Sequence, residues 1–234
     1  MQLEHGPRLS ALVGHKLSFM GSAVALKSAG RASLDAAAEA LRGQLAEVLD
    51  GAKGFASLHL QKHALASRKS VDGVLHCLKQ VGGAVADVLP LSLYLQFAGS
   101  LLQDSLSRVV QALLTRRSFR VEETEALPIL LLPLVEDAPS HFYSCICRDQ
   151  GAETDSFEED FSAALLAAAP ALPRLKAVLE VLQASLSDIS RKWQSGELSN
   201  SGLHADELRK LVKAIFEDTV LRDQQLQLLN DKPF

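Results

Sequence analysis

The stretch LPRLKAVLEVLQASLSDISRKW, residues 172 to 193, places an apolar residue every three or four positions: Leu172, Leu175, Leu179, Leu182, Leu186, Ile189 and Trp193. That spacing is a heptad seam held for three repeats, and it predicts one helix whose stripe packs along a partner helix. In a chain of 234 residues, a helix of the same bundle is favoured as that partner over an intermolecular coiled coil. Ser195 and Gly196 close the helix, and the turn residues Ser199 to Gly202 lead into a last one. Its stripe is Leu208, Leu211, Val212, Ile215, Thr219, Leu226 and Leu229, with Asp206 and Glu207 in the first turn, where the helix dipole favours them.

Working back toward the N-terminus, the same periodicity recurs. Tyr94, Phe97, Ala98, Leu101, Leu102, Leu106, Val109, Val110, Leu113 and Leu114 form an apolar face wide enough to be largely buried. Before it, Val71, Val74, Leu75, Leu78, Val81, Val85 and Val88 share a face, weakened midway by Gly82 and Gly83 and ended by Pro90. Further back, two helices are expected, one from Leu9 to about Gly30 and one from Leu34 to Leu49, capped by Ser33 and stopped by Gly51; a short helix follows near Phe55 to His59. A helix over Val121 to Val135 must accommodate Pro128 and Pro133. Residues 137 to 160, with Pro139, Gly151 and the acidic run DSFEED, read as the main loop of the chain, and a mobile one.

Composition agrees with an all-α class. Leu occurs 43 times and Ala 31 times, and these strong helix formers account for almost a third of the chain, while aromatic residues make up only 5%. The longest apolar run, Ala126 to Val135, contains two prolines and falls far short of the roughly 20 residues a spanning helix needs. The N-terminal residues lack a signal-peptide pattern, and three cysteines, Cys77, Cys145 and Cys147, fit free thiols in a reducing compartment, so a cytosolic location is expected. The net charge of −4 is unevenly placed: residues 121 to 160 carry eleven acidic side chains against one basic. Such a block reads first as solvated surface, with an acidic docking segment as the alternative.

Chemical signatures are sparse. The common phosphate-loop, dinucleotide and zinc-hydrolase motifs are absent. His59 and His63 stand four apart, a spacing that can seat a metal, but no further ligand is placed beside them. His141, Cys145 and Cys147 could be drawn together as a metal or thiol centre, yet C-x-C is not the usual zinc knuckle and a fourth ligand is lacking. Arg116, Arg117 and Arg120 cluster without the interleaved aromatics of a nucleic-acid surface. No catalytic residue, cofactor, metal or direct nucleic-acid contact is expected, and the residues by themselves point to a helical interaction module.

Three blocks carry a family resemblance. The segment DVLPLSLYLQFAGSLLQDSL, with Asp87, Val88, Leu89, Pro90, Tyr94, Gly99, Leu101 and Leu102, resembles the helix-break-helix of the C-terminal region of the zeste-white-ten family. LQASLSDISRKW, ending at Trp193, is similar to its penultimate helix, and ELRKLVKAIFEDT, with Leu208, Phe216 and Thr219, to its last. The resemblance runs from about residue 70 onward and implies a C-terminal bundle, residues 67 to 234, preceded by weakly matched helices over 1 to 66. It implies antiparallel helical bundles of the tethering-complex rod type, and a length that reads as the terminal third or so of such a rod.

By the same resemblance the chain is a non-catalytic scaffold. Two roles are implied, in a kinetochore complex with Rod and Zwilch that recruits dynein for the spindle checkpoint, and in Golgi-to-endoplasmic-reticulum vesicle tethering for SNARE-dependent fusion. The implied partner is a large α-solenoid, Rod or NAG-type; contacts to a RINT-type subunit belong to a region not represented here. The implied locations are cytoplasm, the endoplasmic reticulum membrane peripherally and only through partners, and the kinetochore in mitosis. Partner-contact residues stay unassigned. A generic helical adaptor and, further off, a metal or thiol enzyme on His141, Cys145 and Cys147 are the competing readings.

Overall fold

Proline fixes its own φ and excludes the preceding residue from the helical region, so Pro90 forces a corner wherever a helix reaches it. In the computed structural model, which describes residues 20–150 and 155–229, that corner separates α2 (Gln61–Ala86) from α3 (Leu91–Leu114). Pro90 is the N-cap of α3, with ψ of 146°, and its carbonyl accepts from the amides of Leu93 and Tyr94 at 2.9 Å each. Preceding α2 are α1 (Met20–Asp50) and a 3-10 turn at Lys53–Phe55. After α3 come α4 (Val121–Gln150), α5 (Asp155–Ala168), α6 (Ala171–Gln183), α7 (Leu186–Gln194), α8 (Glu197–Asn200), α9 (Ala205–Ile215) and α10 (Val220–Leu228). The described residues are all helix, turn or loop, as the sequence predicts.

The chain divides into two compact units, Met1–Leu41 and Arg42–Phe234. In the first, the described residues belong to α1, and Val24 and Leu26 are exposed. In the second, α2, α3 and α4 run up, down and up. Leu58, just before α2, bonds Glu123 at the start of α4, while Gly82 and Phe142 meet near the other ends. The main layers are α2 on α4, α3 on α5 and α6, and α4 on α6; α10 lies on α7, and α9 touches α3. The core is aliphatic: Val74, Leu101, Leu102, Leu106, Leu113, Leu127, Leu131, Leu175 and Leu208 are all fully buried.

Five sequence expectations are corrected. The two helices expected around Gly30 and Ser33 are one, α1, as far as the described residues extend; a lone glycine costs only about 1 kcal/mol against alanine and the flanking run is rich in Ala. The expected loop from 137 is instead the second half of α4, which holds Pro128, Pro133 and Pro139 inside it. Each proline removes one backbone bond, but the face Leu127, Leu131, Leu134, Ala138, Phe142 and Ile146 stays buried at helical spacing and outweighs the loss. Residues 151–154 lie outside the described residues, and DSFEED opens α5, with Glu158, Glu159 and Asp160 exposed near its N-terminus, where the dipole favours them.

The heptad seam is likewise two helices, α6 and α7. Ala184 turns extended, and the Ser185 hydroxyl accepts from the Asp188 amide at 3.2 Å, capping a new start. The last helix also breaks: Phe216 is extended, and the Thr219 hydroxyl caps α10 by accepting from the Arg222 amide at 3.2 Å. In both places a hydroxyl offers the backbone a local partner and stops the continuous periodic reading. The short helix expected near Phe55 is reduced to the 3-10 turn.

Candidate functional site

The residues that carry the family resemblance occupy two corners of the bundle. At the first, Asp87 is exposed and caps α2, Leu89 is half-buried, and Pro90 starts α3. One turn on, Tyr94 is completely buried, and its hydroxyl donates to the Phe142 carbonyl at 3.1 Å, while its ring meets the Phe142 ring edge-on at 6.3 Å. Burial, then the neighbouring Cys145, pushes the Tyr94 phenol well above its usual range. Gly82 makes this packing possible: a β-carbon there would stand 2.9 Å from the Phe142 ring and 3.3 Å from the Tyr94 hydroxyl. Gly82 therefore serves as a seat for two aromatic rings, a role that outweighs the weakening read from its sequence.

Gly99 does the same on the opposite face of α3. A β-carbon at Gly99 would lie 2.4 Å from the Ala168 methyl at the end of α5. Leu101 and Leu102 beside it are fully buried. The Gln103 side chain, one turn further, accepts from the Ala171 amide at 2.6 Å and so fixes the start of α6 against α3.

At the opposite end of the bundle a carboxylate organises the chain crossings. Glu123 is only 2% exposed, and its two oxygens accept from the Leu58 amide at 3.2 Å, the Arg120 amide at 3.2 Å and the Arg116 guanidinium at 2.5 Å. Burial alone would raise its pKa; the Arg120 amide, Arg116 and the Leu58 amide together outweigh burial and hold it below the usual carboxylate range. Arg116 also donates to the Phe55 carbonyl at 3.1 Å and lies 4.3 Å over the Phe119 ring. It thus pins a segment in which Lys53, Phe55 and Ser57 all hold positive φ, a conformation disfavoured for residues with a β-carbon. Of the arginine cluster, Arg116 is committed to this internal hub, whereas Arg117 and Arg120 are exposed.

The second corner holds the other resemblance residues. Trp193 is 4% exposed and Leu208 fully buried. Lys192 reaches Glu180 at 2.6 Å and Glu197 at 3.1 Å, tying α6, α7 and α8 together; those carboxylates raise its pKa. The half-buried Phe216 ends α9, and its carbonyl accepts from Arg222, which is 8% exposed and also pairs with Asp218. Ser190 bonds Gln225 at 2.5 Å, joining α7 to α10. Neither Glu123 nor Arg222 stands out in the sequence, because their partners are defined only by chain crossings and caps.

The polar side chains considered for chemistry do not converge. His59 is exposed in the turn before α2, so it shares no helix with the half-buried His63. On α4 Cys145 is buried beside the Tyr94 corner, while His141 and Cys147 are half-buried and do not join it in a ligand set. Among the described residues no three His, Cys, Asp or Glu come together as metal ligands. Among them, too, no helix is long and apolar enough to cross a membrane. What the arrangement offers is a closed apolar interior with charged outer faces.

Comparison with known proteins places the chain in a family. The model of the ZW10 C-terminal helical domain matches residues 69–229. The centromere/kinetochore protein zw10 homolog of Mus musculus is 25% identical over 185 residues, 79% of this chain and 23% of that protein. Its Arabidopsis thaliana counterpart is 27% identical over 187 residues, 80% of this chain and 24% of that protein. The Rattus norvegicus homolog is 25% identical over 182 residues, 77% and 22%. The chain spans less than a quarter of the length of these relatives.

Proposed function

Because the chain belongs to the family of the ZW10 C-terminal helical domain, we propose that it acts as a scaffold subunit without catalytic chemistry. The observation that carries the reading is the family match over residues 69–229, the stretch folded as α2 to α10. The relatives are named as centromere and kinetochore proteins, which supports a scaffold role within a protein assembly. The mechanism is rigid positioning. Interlocked helices hold an outer face at a fixed place, and activity follows from which protein is bound there.

The partner proposed is a large α-solenoid, of the Rod type at the kinetochore or the NAG type at the endoplasmic reticulum. In the first setting the chain supports dynein recruitment and the spindle checkpoint; in the second, capture of Golgi-derived vesicles ahead of SNARE-dependent fusion. Membrane association is peripheral and runs through partners. The residues of the resemblance, Asp87, Leu89, Pro90, Tyr94, Gly99, Leu101, Leu102, Trp193, Leu208, Phe216 and Thr219, are proposed to shape the bundle, leaving recognition to exposed side chains. Tagged chain should recover the Rod-type solenoid from mitotic cells or the NAG-type solenoid from interphase cells. Recovery of neither by the folded chain refutes the proposal.

A further inference from the structure

Where the end of α3 meets α9, the surface opens into a groove of about 480 Å³. Its floor is Gln111, Leu114 and Thr115; Arg117 lines it from the chain beyond α3, and Lys210 and Lys213, three apart on α9, line it from the other side. These three cations are exposed. Two other charged residues in the lining are already committed. Arg116 is held by Glu123, and Glu207 pairs with Arg174 through one oxygen while its other accepts from the His204 amide at 3.2 Å. Among the described residues the groove therefore keeps three uncommitted positive charges over a floor that includes the apolar Leu114.

From this arrangement we infer that the groove docks an acidic peptide segment of a protein partner, its carboxylates pairing with Arg117, Lys210 and Lys213 and an apolar side chain resting on Leu114. A phosphate site would converge several donors, commonly helix N-terminal amides and bidentate arginine, on one point. Here α3 contributes its C-terminal end, which presents carbonyls rather than free amides, and the cations are spread along two walls. Single-stranded nucleic acid would call for exposed aromatic platforms. The lining has none, and the nearby Phe119 ring is buried beneath Arg116. Single carboxylates spaced along a chain fit this distribution better than a dense polyanion. The inference deepens the scaffold reading and rests on it only in taking the ligand to be protein.

Fluorescence anisotropy of the full chain tests it with a labelled dodecapeptide of interleaved Glu, Leu and Ala. The comparison probes are the same peptide with Gln for Glu, a 12-nucleotide RNA, and vesicles containing phosphoinositide. The expected result is saturable, salt-sensitive binding of the Glu peptide alone. The Lys210→Glu/Lys213→Glu variant should lose about tenfold or more through like-charge repulsion, with an unchanged melting temperature. Arg68→Glu/Lys69→Glu, which alters two exposed cations of α2 outside the groove, should bind as the parent does. Equal loss in both variants, tighter binding of RNA or vesicles, or absence of saturation at low salt overturns the inference. Recovery of a solenoid partner is measured separately, so failure of the groove and failure of the scaffold reading give different results.

Discussion

Replacing Gly99 by alanine adds one methyl group at a close contact between α3 and the end of α5. The new β-carbon would stand 2.4 Å from the Ala168 methyl, whereas carbon atoms in favourable contact sit about 3.5 to 4.0 Å apart. The two helices must therefore separate by about 1 Å, and the tightly packed Leu101, Leu102 and Leu165 must follow. Overpacking of this kind costs about 1 to 3 kcal/mol. Alanine returns about 1 kcal/mol through helix propensity, so the net loss is about 0 to 2 kcal/mol. Gly43→Ala supplies the control: it lies in α1, exposed, with nothing within 4 Å of its added β-carbon, and should stabilise by about 0.5 to 1 kcal/mol. Urea unfolding followed by circular dichroism reads both, with melting shifts of about 2 to 4 °C per kcal/mol. Adding Ala168→Gly to Gly99→Ala should recover at least half the loss. A Gly99→Ala protein stabilised as much as Gly43→Ala would refute the close-contact account of this corner.

Glu123→Gln should cost about 2 to 3 kcal/mol at pH 7, since it leaves the Arg116 guanidinium, 13% exposed, without its counter-charge. The folded pKa of Glu123 lies below the unfolded value of about 4.3, so its contribution is present above that pH and lost as pH falls through the folded pKa. Parent and variant should therefore converge in stability as pH falls below about 4.3 and through the folded pKa, measured by urea titration at each pH; a constant gap would exclude the carboxylate as the cause. Trp193→Ala should destabilise by about 3 to 5 kcal/mol in chemical denaturation, and a loss under about 1 kcal/mol would contradict its burial. Ser185→Ala should cost about 1 kcal/mol by uncapping α7; no change would mean that another group starts the helix.

The helical class, the corner at Pro90 and the burial of Trp193 were all readable from spacing and residue type. Local signals misled where tertiary contact decides. Pro139, Gly151 and the acidic run suggest a loop from residue 137, yet the buried spacing that ends in Phe142 and Ile146 carries α4 past Pro139. Gly30 suggests a boundary and is helix interior, whereas Gly82 and Gly99 are fixed by what a β-carbon would strike. Ser185 followed three residues later by Asp188 is a visible capping signal, overridden in the sequence reading by the unbroken heptad count. The Glu123 hub was hidden for a different reason. Its partners stand at Leu58, Arg116 and Arg120, and periodicity cannot indicate a contact spanning 65 residues of chain.

The charged faces are the least legible part, because nothing local distinguishes Lys210 and Lys213 from other solvated lysines until α9 is set against the end of α3. The acidic block between 121 and 160 shows the same effect. Among its described members, Glu123 is buried and organises a chain crossing, while Glu158, Glu159 and Asp160 lie exposed near the start of α5.

Sedimentation velocity of the purified chain mixed with a purified Rod-type or NAG-type solenoid tests the scaffold account most directly. The account predicts a faster species containing both proteins, with the solenoid alone and the chain alone as references. A folded chain that sediments at its own rate beside each solenoid, at concentrations well above micromolar, would contradict it.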